Sequence, residues 1–275
     1  MGDILEIAIG IAREAGALLL PYYRRRVKVE YKGEVDIVTE ADRASEKLIL
    51  DKLRAHFPDH AVIAEESGGH AGHSGYRWYV DPLDGTTNFA HTFPMFCVSM
   101  GLERDGEMIL AVIYDPLREE LFAAEKGSGA QLNDQQIHVS GVKHLEESLV
   151  ATGFPSNKRH KSINIHFYHQ ISLRSHGVRR AGSAALDLAY VAAGRLDCFW
   201  EFNLNPWDVA AGKLIIQEAG GCVTDMKGQL HRLNSASIAA SNRLLHTQLI
   251  EAFQEIFSGV YRVELPGIEG TGNSE

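Results

Sequence analysis

The sequence predicts a mixed α/β protein made of two closely packed subdomains. Two helical stretches open the chain, and short apolar segments separated by turn residues follow between residues 61 and 124. From residue 148 onward, helix and strand patterns alternate instead. The change of pattern places a boundary near residues 140–147, dividing 1–145 from 146–262. The stretch 263–275, with Pro266, Gly267, Gly270 and Gly272 among acids, reads as a flexible tail.

In the first helix, 3–20, Ile4, Ile7, Ile11 and Leu18 recur on one side, and Pro21 marks the expected end. Thr39 opens a second helix to about His56, with Leu48, Leu53 and Phe57 facing inward and Pro58-Asp59 as its stop. Residues 61–64 form a short strand that runs into Glu65-Glu66, and 68–75 is a glycine- and histidine-containing loop. Residues 78–80 form a strand expected to stop at Asp81-Pro82. Strands near 95–103, 107–114 and 119–124 follow, with Asp105-Gly106 as a hairpin turn and further turns at 126–129 and Asn133-Asp134. In the second half the readings are strand 148–152, helix 162–172, helix 183–193 ended by Gly194, and strand 196–202. Helix 206–219 ended by Gly220-Gly221, strand 238–240 and helix 242–257 complete it.

Composition narrows the function. The 275 residues are 45% hydrophobic and 23% charged, which suits a globular protein able to bury a core without cross-links. The net charge of −9 argues against a track along a nucleic-acid backbone, as does the lack of a basic stripe with stacking aromatics. A phosphate-bearing small molecule stays open, because a bound cation can invert the local sign. No run reaches the roughly 18 apolar residues that a membrane span needs. The odd set Cys97, Cys198 and Cys222 contains no CxxC pair, so reduced thiols and a cytoplasmic location are expected.

The chemistry sits in the acids. Asp81-Pro-Leu-Asp84-Gly85-Thr86-Thr87 follows a strand and puts two carboxylates on one tight bend. Two close carboxylates raise each other's pKa unless a cation lies between them, and Mg2+ prefers such oxygen ligands. The N–H groups of Gly85, Thr86 and Thr87 are suited to cradle an anion. The same residues would also make an ordinary turn. Glu65 is a ligand candidate at a strand end, or a solvated residue there. Asp208 opens a helix, as a ligand or as a dipole-stabilising acid worth about 0.3–1 kcal/mol. Asp42 completes a capping box with Thr39, or orients the Thr86 hydroxyl near an attacking water. His70 and His73 lie in the loop, and His166 and His169 at helical spacing, without further metal ligands.

Two stretches, Trp78-Tyr-Val-Asp81-Pro-Leu-Asp84-Gly-Thr-Thr-Asn and Trp207-Asp208-Val-Ala-Ala-Gly through Glu218-Ala-Gly-Gly221, together resemble the signatures of the inositol monophosphatase family. Glu65-Glu66-Ser67 lies upstream as in that family, the resemblance spans about 4–257, and 182–195 is most similar to its bacterial branch. It implies a layered αβαβα sandwich and an Mg2+-dependent, lithium-sensitive phosphatase with two or three ions per subunit. Mn2+ is the implied substitute, Ca2+ and Li+ the implied inhibitors, and a homodimer the implied assembly. Glu65, Asp81 and the Leu83 carbonyl would hold one ion, and Asp81, Asp84 and Asp208 a second; a third would lie beside Glu65. Thr86 and Asp42 would position the water, with Glu65 or the Thr86–Asp42 pair as its base, while the Gly85 and Thr86 N–H groups bind phosphate. Lys32, Asp84, Gly182, Ser183, Ala184, Glu201 and Asp208 would complete the substrate contacts, with Glu201 accepting from an inositol hydroxyl.

The expectation is therefore a phosphomonoesterase acting on myo-inositol 1-phosphate and related polyol phosphates by direct attack of an activated water. The alternatives are the same chemistry on histidinol phosphate, fructose 1,6-bisphosphate, a 3′-phosphoadenosine nucleotide or NADP. Arg179 and Arg180 leave room for a more anionic ligand. A regulatory binding protein that keeps the fold without catalysis is the reading from a different class.

Overall fold

A computed structural model describes residues 2–25, 29–31, 37–154 and 162–264. Lys32 and the tail beyond Glu264 lie outside the described residues. The chain forms five layers, the expected αβαβα sandwich. Helices α1 (Gly2–Arg24) and α2 (Glu40–His56) make the first, and a two-stranded ribbon of β1 (Val29–Tyr31) and β2 (Ile37–Thr39) lies between them in sequence. The second is a seven-stranded sheet: β3 (Ala61–Ala64), β4 (Tyr76–Asp84), β5 (Cys97–Arg104), β6 (Glu107–Asp115), β7 (Glu120–Glu125), β8 (Ala130–Leu132) and β9 (Gln135–Ile137), in sequence order. A short helix α3 (Thr86–Ala90) follows β4.

In the second half come β10 (Leu149–Thr152), α4 (Asn164–Ser172), β11 (Gly177–Arg179), α5 (Ala184–Ala192) and β12 (Cys198–Phe202). Then follow α6 (Pro206–Glu218), β13 (Cys222–Thr224), β14 (Ser237–Ser241) and α7 (His246–Phe257). Their strands form a five-stranded sheet in the order β11-β10-β12-β14-β13. Helices α5 and α6 fill the space between the two sheets, and α4 and α7 cover the outer face of the second. The middle layer lets α6 lie against β5 because Gly101 has no side chain. A Cβ there would meet Ala210 Cβ at 3.0 Å and Ala211 N at 3.1 Å.

Three expectations change. Helix α1 runs through Pro21 to Arg24, although Pro21 cannot donate to the preceding turn. Tertiary contact holds that last turn: the Tyr23 hydroxyl donates to Thr92 O at 2.7 Å, and its ring packs on Phe89 and Phe96. The inward face of α2 is Asp42, Ser45, Glu46, Ile49 and Leu53, whereas Leu48 and Phe57 are only half-buried. The strand expected to stop at Asp81 continues to Asp84, because Pro82 sits in a break of the ladder where no donor is required. Cys97, Cys198 and Cys222 are free thiols, the first two buried. Among the described residues, no helix is long and apolar enough to cross a membrane.

Candidate active site

The site begins with an irregularity in β4. Asp81 pairs with Ser99, but Asp84 pairs with Cys97, so three steps on one strand face two on the other. In a regular strand, residues three apart point to opposite faces. The one extra residue of a bulge restores Asp84 to the side of Asp81. Gly85 then turns at φ +94°, a conformation that favours glycine, and a Cβ there would lie 2.7 Å from Met95 O. Helix α3 starts at Thr86.

Glu65 arrives from the neighbouring strand. Its N–H donates to Val80 O at 3.3 Å, extending the β3–β4 pairing by one residue. The turn behind it hangs on Glu46 of α2, whose two carboxylate oxygens accept from Glu66 N at 2.8 Å and Ser67 N at 2.9 Å. Ser45 of the same helix donates to Pro82 O at 2.8 Å. Sequence reasoning misses both supports. Polar residues at the start of a buried helical stripe are the available signal.

Asp42 carries both of its expected roles at once. Its Oδ2 accepts from Thr39 N at 2.9 Å and from Thr39 Oγ1, capping α2. Its Oδ1 accepts from Thr86 Oγ1 at 2.9 Å. The Thr86 hydroxyl also lies 3.0 Å from Leu83 O, so its one proton has two carbonyl-type acceptors. Burial raises the Asp42 pKa, and the hydrogen bonds from Thr39 and Thr86 hold it back.

The second half closes the other side. Asp84 Oδ2 accepts from Ser183 Oγ at 2.6 Å and Ala185 N at 2.8 Å, joining the first sheet to the start of α5. Ser183 is the N-cap of α5, and Gly182 before it has φ +85°. Asn88 of α3 donates to Ala181 O at 2.8 Å, fixing the same turn. Asp208, in the first turn of α6, accepts from Asn205 N at 2.7 Å. Together Glu65, Asp84, Gly85, Thr86, Gly182, Ser183, Ala184, Glu201 and Asp208 line one cleft of 220 Å³, with Asp81 beneath it at 2% exposure. Gly153, Phe154, Arg180 and Asp187 extend this lining; from the sequence, Asp187 is only one residue of an Ala-rich helix.

The electrostatics explain what the cleft wants. Burial raises the Asp81 pKa well above its ordinary value, and the charges of Glu65, Asp84 and Asp208 push it further. Asp208 is raised by burial and then by Asp84, while Asp84 is raised by burial against the pull of Ser183 and Ala185. Burial, with Asp187 and Asp84 nearby, lifts Glu201 to about 8. Arg180 is the one cation lining the cleft among the described residues. A set of hard oxygen donors with this surplus of negative charge suits Mg2+, and among the described residues that line the cleft there is no cysteine or histidine for zinc. The carboxylates face a common cleft without converging on a single point: among the described residues, no three His, Cys, Asp or Glu are arranged to hold an ion as they stand. Asp81 Oδ1, Asp84 Oδ2 and Asp208 Oδ2 accept from protein donors instead.

Similarity to known proteins covers this whole arrangement. The model of a family described as the inositol monophosphatase family matches residues 1–258. A protein from Pseudomonas aeruginosa named Nus factor SuhB is 44% identical over 262 residues, covering 92% of this chain and 97% of that one. The inositol-1-monophosphatase of Mesorhizobium japonicum is 41% identical over 263 residues, covering 93% and 97%. The solved structure of an inositol monophosphatase from Anabaena superposes with a TM-score of 0.85 at 42% identity, covering 92% of this chain and 96% of that one.

Proposed function

The chain belongs to the inositol monophosphatase family, and from that premise we propose that it hydrolyses polyol phosphates, myo-inositol 1-phosphate among them, in an Mg2+-dependent reaction. The observation that carries the reading is the gathering of Glu65, Asp81, Asp84 and Asp208 beside Gly85 and Thr86, with Glu201 in the same cleft. Glu65, Asp81, Asp84, Asp208 and the Leu83 carbonyl would hold Mg2+, which when bound supplies neutralising charge and a more acidic water.

The chain's own groups divide the rest of the work. The N–H groups of Gly85 and Thr86 bind the phosphate oxygens. Thr86 Oγ1, with its proton directed to Asp42 Oδ1, keeps its lone pairs free to accept from the attacking water. Asp42 is buried and has a raised pKa, which makes it a better base at the end of that relay. Attack is direct and no side chain is phosphorylated. The leaving alkoxide takes its proton from a water oriented by Asp208. Glu201 accepts from a hydroxyl of the alcohol.

Phosphate release at millimolar Mg2+ from inositol 1-phosphate tests the substrate, run beside histidinol phosphate, fructose 1,6-bisphosphate, a 3′-phosphoadenosine nucleotide and NADP. Preference for any of the last four corrects it. The name Nus factor borne by the Pseudomonas relative favours a second reading, a regulatory binding role carried by the same fold. An Asp81→Asn chain that keeps its cellular role while losing hydrolysis would establish that reading.

A further inference from the structure

Asp187 is a buried acid that the reaction above leaves unused. It sits in the first turn of α5, is 2% exposed, and lines the cleft with Glu201 and Arg180. A helix dipole favours an acid at that position. That suffices for a solvated acid, but not for this one, because Asp187 Oδ1 is buried without a hydrogen-bond partner. Leaving a buried acceptor unpaired costs more than the dipole returns.

The charges that act on Asp187 are Asp84 from β4, which opposes its ionisation, and Arg180, which favours it; Asp187 in turn acts on Glu201 of β12. Two carboxyl groups thus face one guanidinium at this end of the cleft. Gly153 makes room for the Glu201 carboxyl itself, since a Cβ there would fall 2.1 Å from Glu201 Oε2. A group that binds beside them satisfies Asp187 Oδ1 only by bringing a hydrogen-bond donor.

We propose that Asp187 accepts a hydrogen bond from a substrate hydroxyl, as a second acceptor beside Glu201, so that the cleft selects phosphate esters whose alcohol carries at least two further hydroxyls. The inference rests on the phosphatase reading and sharpens its substrate class. Aryl phosphates gain nothing from the pair.

The test compares kcat/KM for inositol 1-phosphate with that for phenyl phosphate, which has no other hydroxyl, in wild type, Asp187→Asn and Asp187→Ala. The polyol-to-phenyl ratio is expected to fall about tenfold in Asp187→Ala, through KM, and less in the isosteric Asp187→Asn. A fall of that size corresponds to about 1.4 kcal/mol. Thermal melts check the fold, and if Asp187→Ala does not fold the ratio in Asp187→Asn decides. An unchanged ratio overturns the proposal. Wild-type cleavage of phenyl phosphate without cleavage of inositol 1-phosphate overturns it too, and leaves the phosphatase reading standing. If neither ester is cleaved, the phosphatase reading fails. Binding of free myo-inositol, followed by saturation-transfer NMR, then decides: weakening by Asp187→Asn supports the subsite, and equal or absent binding rejects it.

Discussion

Glu201 offers a test of the cleft's electrostatics that needs no substrate. In the folded chain its carboxyl is 7% exposed and pushed up to about 8, against an ordinary value of 4.5. An acid whose folded pKa is raised binds its proton more tightly in the native state. Its contribution to stability is therefore complete below the unfolded value and is lost as pH climbs through the folded one. Between pH 5 and pH 8 the unfolded chain is ionised at this residue and the native one is largely not. At about 1.36 kcal/mol per unit, roughly three units give a loss of about 4 kcal/mol. Glu201→Gln removes the titration and keeps the shape. Urea unfolding in EDTA, at one protein concentration from pH 5 to pH 8, should show wild type losing about 4 kcal/mol more than the variant. Asp81, Asp187 and Asp208 are shifted in the same direction, so both proteins should weaken as pH rises, and the difference reports Glu201 together with the part of the Asp208 shift that its charge causes. Parallel curves for the two proteins would refute the placement of Glu201 as a buried acid in an acid-rich pocket.

Thr86→Ala removes the hydroxyl bonded to Asp42, and kcat on inositol 1-phosphate should fall by about 10²–10⁴ with KM little changed; a fall confined to KM would remove Thr86 from the proton relay. Gly153→Ala places a methyl 2.1 Å from Glu201 Oε2, so the carboxyl must move, and polyol-phosphate kcat/KM should drop about 10–100-fold in steady-state assays. Gly101→Val wedges α6 away from β5, where even a Cβ meets Ala211 N at 3.1 Å, and should cost about 1–3 kcal/mol in a chemical melt.

What the sequence revealed of this site follows how local each part is. Asp81 and Asp84 were legible because a strand, a proline and a glycine lie within a few residues. The bulge that turns them to one side was not, since it depends on the register against Ser99 and Cys97. Asp42 could be read two ways, as a helix cap or as the partner of Thr86, and the structure uses one carboxylate oxygen for each. Glu46 was hidden because an acid on a helix usually faces water; here backbone donors from residues 66 and 67 make its burial tolerable. Asp187 was hidden because eight of the nine residues of α5 are Ala, Leu, Val or Tyr, a composition that explains a core helix by itself. The short strands β1, β2, β8, β9, β11 and β13 have three residues each, too few for an alternation to show.

The same acids connect folding to function. Asp84 is the clearest case, because it lies among the candidate ion ligands and also accepts from Ser183 and Ala185 across the middle of the sandwich. A residue used only to bind an ion could be freed by the ion's loss; this one would still hold α5 against β4. Asp81 and Asp208 accept instead from backbone N–H groups of their own turns, those of Leu83 and Asn205. Each is also opposed by the charges of Glu65 and Asp84. Asp84 thus combines two jobs. It joins the two halves of the sandwich, and its charge adds to the burial that raises Asp81 and Asp208. The N-cap of α5 is fixed by the first of these jobs, on the same helix that carries Asp187.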